Sequence, residues 1–431
     1  MAQKIIPHVK GTRDFYPDDW AYQKWLSERF LSVGRSYGFE EYEGSLLEHQ
    51  ELYLGKSSEE IISQQTFTLK DRDDRDLVLR PELTPTLARM VATREGQLTF
   101  PIRWQSYGQF FRYEKPQRGR GRAFFQWNVD LLGLDSPIAD AEIISLACKM
   151  FKELDLTPEH VSIRLNDRQG MEDLLKDTLE IPVDKIPAVF GLIDRFDKMP
   201  RDRFLGALEG AGLGSTQASD LDSTLREETR VVSPWLDETL GHLSQRGVEN
   251  YIQLDLKIVR GFDYYTRTVF EAWAKTSLRR ALFGGGRYDN LTVQVGGKRQ
   301  IPGVGFAVGD MAITELLKEV GKMPSKGPTG ATVLISVFSE DFLDSSSHLA
   351  DQFRQRGIKT ELYLDPKHKL DRQFKYADRK NIRFVVILGP EEAATNSAAL
   401  KDLQTGDQVT LGVREIPDRI RTLRRNKETD A

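Results

Sequence analysis

Phe111-Arg112-Tyr113-Glu114-Lys115-Pro116-Gln117-Arg118-Gly119-Arg120-Gly121-Arg122-Ala123-Phe124-Phe125-Gln126 joins two apolar runs, Ile102 to Phe111 before it and Phe124 to Leu132 after it. The stretch spells a hairpin: the first strand presents a fixed cation, Arg112, and the loop is a flexible basic finger. A guanidinium that can fork onto a phosphate, beside a loop suited to a polyanion, points to nucleotide chemistry next to nucleic acid. A run of charge can equally be a solvated turn. The rest of the chain decides between the two.

At 431 residues the chain is long enough for two or three domains. Its 39% apolar and 29% charged residues fit a soluble globular protein. A net charge of -4 gives no global attraction to nucleic acid, so binding of that kind must rest on local patches such as Arg118, Arg120 and Arg122. The single cysteine, Cys148, sits in an apolar helix-like run and reads as a core residue; no disulfide can form within the chain, and no CxxC pair or His/Cys cluster offers a dedicated metal site. No apolar run approaches the ~18 residues that would span a membrane, and no secretory segment is seen, so a cytoplasmic location is expected.

Trp20 to Tyr37 carries apolar residues at helical spacing and is expected to form a helix closed by Gly38. Strands are expected at Glu40 to Leu47, Gln65 to Leu69, Leu77 to Arg80, Ile102 to Phe111, Phe124 to Leu132, Ile252 to Val259, Val269 to Ala274 and Val304 to Val308. Together they predict a large, mostly antiparallel sheet. Between about Thr157 and Glu249 the texture is charged and helical with no clear strand. From Gly330 strands (331–337, 359–364, 383–388) alternate with helices (342–356, 370–381), which predicts a separate α/β domain on a mostly parallel sheet. Lys322 to Gly330 reads as the linker.

Several short polar blocks sit inside apolar frames. In Arg80-Pro81-Glu82-Leu83-Thr84 a carboxylate and a hydroxyl stand where a strand turns, able to accept from an ammonium group; a helix N-cap is the competing use of Thr84. Arg112 and Glu114 lie two apart, and Gln126 and Asp130 four apart, so each pair shares a strand face. Such groups are costly if buried without partners, which makes a ligand the natural one. Arg260-Gly261-Phe262-Asp263-Tyr264-Tyr265 and Phe283-Gly284-Gly285-Gly286-Arg287-Tyr288-Asp289 add cations, phenols and a backbone open to close approach. Adjacent tyrosines in a strand face oppositely, so only one of Tyr264 and Tyr265 is expected to reach a site.

In this order, and together with Gly11-Thr12-Arg13-Asp14, these blocks resemble histidyl-tRNA synthetases, a family of class II aminoacyl-tRNA synthetases. The resemblance spans nearly the whole chain. Arg260 to Glu271 and Gly285 to Asp289 match the family's histidine-specific segments; Lys375-Tyr376-Ala377-Asp378 and Leu400-Lys401-Asp402-Leu403 match its anticodon-binding domain. It implies an α+β class II catalytic domain, an antiparallel sheet flanked by helices, over residues 1–325. A helical insertion over the tRNA acceptor arm would interrupt it at 160–249, with an α/β anticodon-binding domain at 330–423 and a polar tail at 424–431. The implied activity is that of a histidine–tRNA ligase acting on L-histidine, ATP with Mg²⁺, and tRNA(His), as a cytoplasmic homodimer.

Residue by residue, the resemblance gives Arg112 and Arg260 to the α-phosphate as the catalytic cations, and Glu114 to the adenine. Glu82, Thr84 and Gln126 would hold the α-amino and carboxylate groups of histidine, with Asp130, Tyr264, Tyr265 and Tyr288 around its imidazole. Gln117, Arg118, Arg120 and Arg122 would meet the tRNA, and no dedicated protein ligands are implied for a metal. None of the six histidines falls in these blocks, and none is given a catalytic role. Two departures stand out. Where class II motif 3 reads Gly-Leu-Glu-Arg, with an arginine on ATP's γ-phosphate, this chain reads Gly309-Asp310-Met311-Ala312, so Arg287 or Arg122 is expected to take over at ATP. In motif 1, Ser45 replaces the usual proline. The alternatives are a non-catalytic regulatory paralogue, which would lack the C-terminal domain, and an RNA-binding sensor module, for which the chain lacks a kinase glycine loop.

Overall fold

A computed structural model describes residues 5–54, 65–227, 230–259, 264–278, 280–324 and 330–428, and its contacts divide the chain into two compact units, residues 1–15 with 22–323 and residues 16–21 with 324–431. The first helix runs Pro17–Ser36. Gly38, at φ +78°, closes it as expected: the Phe39 N–H donates to Gly34 C=O and the Gly38 N–H to Arg35 C=O, each 3.0 Å, the pairing of a Schellman cap.

The first unit is built on strands β1 (Glu40–Glu41), β2 (Leu47–His49), β3 (Phe67–Lys70), β4 (Asp76–Leu79), β5 (Ile102–Phe111), β6 (Ala123–Leu132), β7 (Val161–Asp167), β8 (Ile252–Leu254), β9 (Thr268–Ala274), β10 (Ala281–Tyr288) and β11 (Gly303–Gly309). Eight of them form one sheet in the order β1-β5-β6-β11-β10-β9-β7-β8. It is antiparallel except at its two edges, where β1 pairs with β5 and β7 with β8 in parallel. The hairpin β5–β6 pairs without a bulge from Ile102 opposite Leu132 to Phe111 opposite Ala123.

Period-two alternation divides the central strands between two environments. Trp127, Val129 and Leu131 of β6, and Val304, Phe306 and Val308 of β11, pack into the large core with Leu26 and Phe30 of the first helix and Ile144 and Phe151 of the helix Pro137–Glu153. Their neighbours in sequence, Gln126, Asn128 and Asp130, must therefore face the other way.

Three expectations are corrected. Segments 47–49, 67–70 and 76–79 form a separate three-stranded sheet, in the order β2-β4-β3, rather than joining the large one. Val161–Asp167, read as part of a helical stretch, is strand β7, paired antiparallel with β9 inside the main sheet; the helices begin only after it, at Arg168. The glycine-rich block 283–289 is no ligand loop but largely strand β10, near the centre of the sheet. A Cβ on Gly285 would lie 2.4 Å from the Gly305 carbonyl oxygen and 2.6 Å from the Phe270 ring, so close strand and ring packing uses that glycine.

The frame of β10 also overturns the role expected for Arg287. It is wholly buried on the face opposite Tyr288. Its Nε and Nη2 donate to Asp140 Oδ1 at 2.9 and 2.7 Å, Nη1 lies 3.2 Å from Asp289, and the guanidinium stacks 5.0 Å from the Trp235 ring. Trp235 and Thr268 donate to the second oxygen of Asp140, completing a buried polar network between β9, β10 and two helices. Arg287 is thus a structural ion-pair partner and not an ATP ligand.

In the second unit β12 (Val333–Ile335), β13 (Thr360–Leu362), β14 (Phe384–Ile387), β15 (Ser397–Asp402) and β16 (Gln408–Gly412) form a sheet in the order β13-β12-β14-β15-β16. The first three strands are parallel, as the β/α alternation predicts. The last two add an antiparallel hairpin that the sequence reading missed, making the sheet mixed. The helix Ile416–Glu428 runs through most of the segment expected to be a polar tail. Of the expected linker, residues 325–329 lie outside the described residues.

Arg287→Ala would leave Asp140 charged and unpaired in a dry interior, which costs about 3–5 kcal/mol. The expected outcome is a large fall in thermal midpoint measured by circular dichroism; an unchanged midpoint with a raised KM for ATP would restore the nucleotide role.

Candidate active site

The uncovered face of the large sheet lines a cavity of about 940 Å³. Its floor is made of small residues: Gly284 on β10, and Gly305, Ala307 and Gly309 on β11. At Gly305 a side chain would strike a wall, since a Cβ would lie 2.2 Å from Asp130 Oδ1, and a Cβ on the nearby Gly303 would lie 2.6 Å from the Tyr288 ring. Gln126, Asn128 and Asp130 rise from β6, Tyr288 from β10, and Glu271 and Trp273 from β9.

Asp130 is 4% exposed and accepts from the Tyr288 hydroxyl at 2.5 Å. Burial pushes its carboxyl up to about 7, against the opposing hydrogen bond from Tyr288. The Tyr42 hydroxyl is buried with no hydrogen-bond partner among the described residues, and Asp130 is the charge that bears most on it. Across the cavity Tyr264 donates to Glu82 Oε2 at 3.2 Å. Tyr264 and Tyr265 both line the cavity, their ring centroids 4.7 Å apart. The expectation that only one could reach it fails because the pair lies in a loop before β9, where strand alternation does not apply.

Thr84 is the first residue of the helix Thr84–Thr93, whose N-cap is Leu83 with no side-chain cap bond. The capping use is therefore not taken, and Thr84 lines the cavity. Gln126 Oε1 and Asn128 Nδ2 are buried polar atoms with no hydrogen-bond partner among the described residues. Such groups are stable only if something comes to pair them. Asn128 was missed in the sequence, although its place between Gln126 and Asp130 on one strand face was the signal for it.

Arg112 and Glu114 line the cavity from beyond the end of β5, not from a strand face as the sequence reading had it. Arg112 is anchored by its Nε donating to the Pro81 carbonyl at 3.0 Å. Burial pushes its guanidinium down from its ordinary value, while Glu82 and Glu114 pull it back up. The basic loop is folded back rather than a free finger: Gln117 and Arg120 form a bridge across Gly119, and the Arg122 N–H donates to the Gly11 carbonyl at 2.6 Å. Gln117, Arg118 and Arg120 line the cavity, whereas the Arg122 guanidinium stacks 4.1 Å from the Tyr113 ring and is not among the lining groups. Arg122 therefore does not supply the cation missing at Ala312, which does line the cavity. Asp310, beside it, is buried, pairs with Arg13 at 2.8 Å and accepts the Phe125 N–H at 3.0 Å, which gives the Gly11-Thr12-Arg13 block a structural purpose. Arg260 lies outside the described residues.

A sheet face that combines buried acceptors, phenols and a fixed guanidinium is what the resemblance called for. The family model for histidyl-tRNA synthetase matches residues 11–313, and that for an anticodon-binding domain matches residues 332–423. The chain belongs to the histidyl-tRNA synthetase family. The histidine–tRNA ligase of Leptospira biflexa is 33% identical over 429 residues, covering 96% of this chain and 97% of the relative. That of Haloarcula marismortui is 35% identical over 425 residues, covering 95% and 96%. The chloroplastic/mitochondrial one of Arabidopsis thaliana is 34% identical over 418 residues, covering 94% and 85%. The crystal structure of histidyl-tRNA synthetase from Nostoc sp. PCC 7120 shares the fold, with a TM-score of 0.80 at 23% identity, over 97% of this chain and 100% of that one.

Because its folded value near 7 lies above the unfolded one, Asp130 contributes stability that is complete below about pH 4 and lost as pH rises through 7. Asp130→Asn removes this dependence. The unfolding free energy of the ligand-free variant should exceed the parent's by an amount that grows from pH 5 to pH 8, up to an order of 4 kcal/mol, while its KM for histidine rises; a difference independent of pH would show that Asp130 is ionised throughout.

Proposed function

We propose that this cavity condenses L-histidine with ATP to histidyl-adenylate and passes the histidyl group to the 3′ end of tRNA(His). By family the chain is a histidine–tRNA ligase, an aminoacyl-tRNA synthetase. The observation that carries the residue assignments is the buried pair of acceptor sets, Asp130 with Tyr288 and Glu82 with Tyr264, flanking the orphaned Gln126 carbonyl and within one cavity with Arg112.

Imidazole can donate from one ring nitrogen and accept at the other. Asp130 would accept its N–H, and the hydroxyls of Tyr264, Tyr265 and Tyr288 would complete the ring's shell. Glu82, Thr84 and the Gln126 carbonyl would take the α-ammonium, and the Gln126 amide the carboxylate. A substrate without these groups would leave buried polar atoms unpaired, which is the source of selectivity. With Arg112 on the α-phosphate and Glu114 at the adenine, a carboxylate oxygen of histidine attacks the α-phosphorus, and the bond to pyrophosphate breaks. No protein nucleophile is needed, since positioning and a preorganised cation lower the barrier. The role of Arg260 on the same phosphate rests on the resemblance alone. A terminal ribose hydroxyl of the tRNA then attacks the mixed anhydride, releasing AMP.

Mg²⁺ would arrive on the phosphates of ATP and lessen their charge. Glu271, a carboxylate on the cavity wall, is a hard oxygen donor that suits it. Gln117, Arg118, Arg120 and Arg122 would meet the acceptor stem. Residues 1–325 would be the catalytic domain, with the helices within 160–249 inserted over the acceptor arm and 330–423 reading the anticodon. Among the described residues no helix is long and apolar enough to cross a membrane. We place the enzyme in the cytoplasm as a symmetric homodimer.

Two measurements test this reading. Histidine-dependent exchange of pyrophosphate into ATP should be robust without tRNA and fall at least about tenfold in Gln126→Ala; no exchange by a folded parent protein would refute the adenylate chemistry. Light scattering of the native protein should give twice the chain mass, and a monomer mass would refute the dimer.

A further inference from the structure

We propose that Arg280 is the residue that binds the distal phosphates of ATP, in place of the arginine absent at position 312. This rests on the ATP-activating reading of the cavity. Arg280 immediately precedes β10 and lines the cavity together with Ala312. Its Nη1 donates to the Arg118 carbonyl. A Cβ built on Gly119 would lie 2.9 Å from that Nη1 and 3.6 Å from Ala312 Cα. The guanidinium and the Ala312 backbone thus flank one small volume, and a long side chain at 312 would have to share it with Arg280. The same contact explains the glycine at 119, whose φ of +71° turns the loop over the guanidinium with no side chain in the way.

Charge distinguishes Arg280 from its neighbours. Arg118 is paired with Glu315 at 2.9 Å and Glu319 at 3.5 Å, and Arg120 reaches Glu114 at 3.5 Å. For Arg280 no carboxylate lies within ion-pair distance among the described residues. Burial, and then the charge of Arg120, push its guanidinium down from its ordinary value, against the pull of Glu114. A polyphosphate would supply that anion, and the fork of a guanidinium suits phosphate oxygens. A phosphodiester of tRNA has the same chemistry, so the test must separate the two sources.

The experiment compares the parent protein with Arg280→Ala, Arg280→Lys and the double variant Arg280→Ala/Ala312→Arg in histidine-dependent pyrophosphate exchange. Exchange by the parent is established first; if the parent fails, the activity reading falls and not the assignment of Arg280. The KM for ATP should rise about 10- to 100-fold in Arg280→Ala, while the KM for histidine and inhibition by AMP, which lacks distal phosphates, stay within about twofold. Restoring an arginine at 312 should recover at least several-fold of the loss. Arg280→Lys keeps the charge without the fork and carries the test if the alanine variant folds poorly, with a smaller rise in the KM for ATP and none for AMP. A KM for ATP within twofold of the parent, a parallel weakening of AMP or histidine, or a defect confined to the KM for tRNA would overturn the proposal.

Discussion

Everything in the first unit depends on one sheet having two incompatible faces. The helices Pro17–Ser36 and Pro137–Glu153 cover one face with a continuous apolar core. On the other face, the same strands carry glycine, alanine and a few polar side chains. Hydrophobic burial on the first face supplies the free energy that lets unpaired polar atoms persist on the second. Gln126 Oε1 and Asn128 Nδ2 are stable as orphans only because Trp127 and Val129, their neighbours on β6, are locked into the core.

The buried ion pair between Asp140 and Arg287 ties the two faces together. It lies on the core side of β10, one residue from Tyr288 on the cavity side. A strand residue cannot rotate without carrying its neighbour, so the orientation of the Tyr288 phenol at Asp130 is set partly by an arginine that never meets the cavity. Arg13 acts in the same way at the other end: by neutralising the buried Asp310 it fixes the start of the helix Asp310–Glu319 under the loop that lines the cavity.

Much of this was legible in the sequence where a strand could be recognised as one. On β6 the four-residue spacing of Gln126 and Asp130 led to the right face, and it contained Asn128 unnoticed. On β10 the three glycines hid the strand, and Arg287 and Tyr288 were both assigned to the ligand; two adjacent residues of a strand cannot both face it. The converse happened at Tyr264 and Tyr265, where a rule of strands was applied to a loop. Val161 to Asp167 escaped because Arg164, Asn166 and Asp167 give it the charged, polar texture of its surroundings, although Val161, Ile163 and Leu165 alternate as a strand should. Arg280 left no local signal: its position beside Ala312 comes from the meeting of three separated segments.

The small-residue floor also limits how the specificity of this site could be changed. The direction in which a side chain at Gly305 would grow is already filled by the Asp130 carboxylate, that of Gly303 by the Tyr288 ring, and that of Gly286 by the Tyr265 ring. At these three glycines a wall side chain already fills the space, so a substitution there displaces a recognition group before it can trim the pocket, whereas a Cβ on Gly309 would meet nothing within 4 Å. An engineer, or natural drift, seeking a different amino acid substrate would find Gly286, Gly303 and Gly305 closed to it and would have to work through the walls there, at Asp130, Tyr265 or Tyr288.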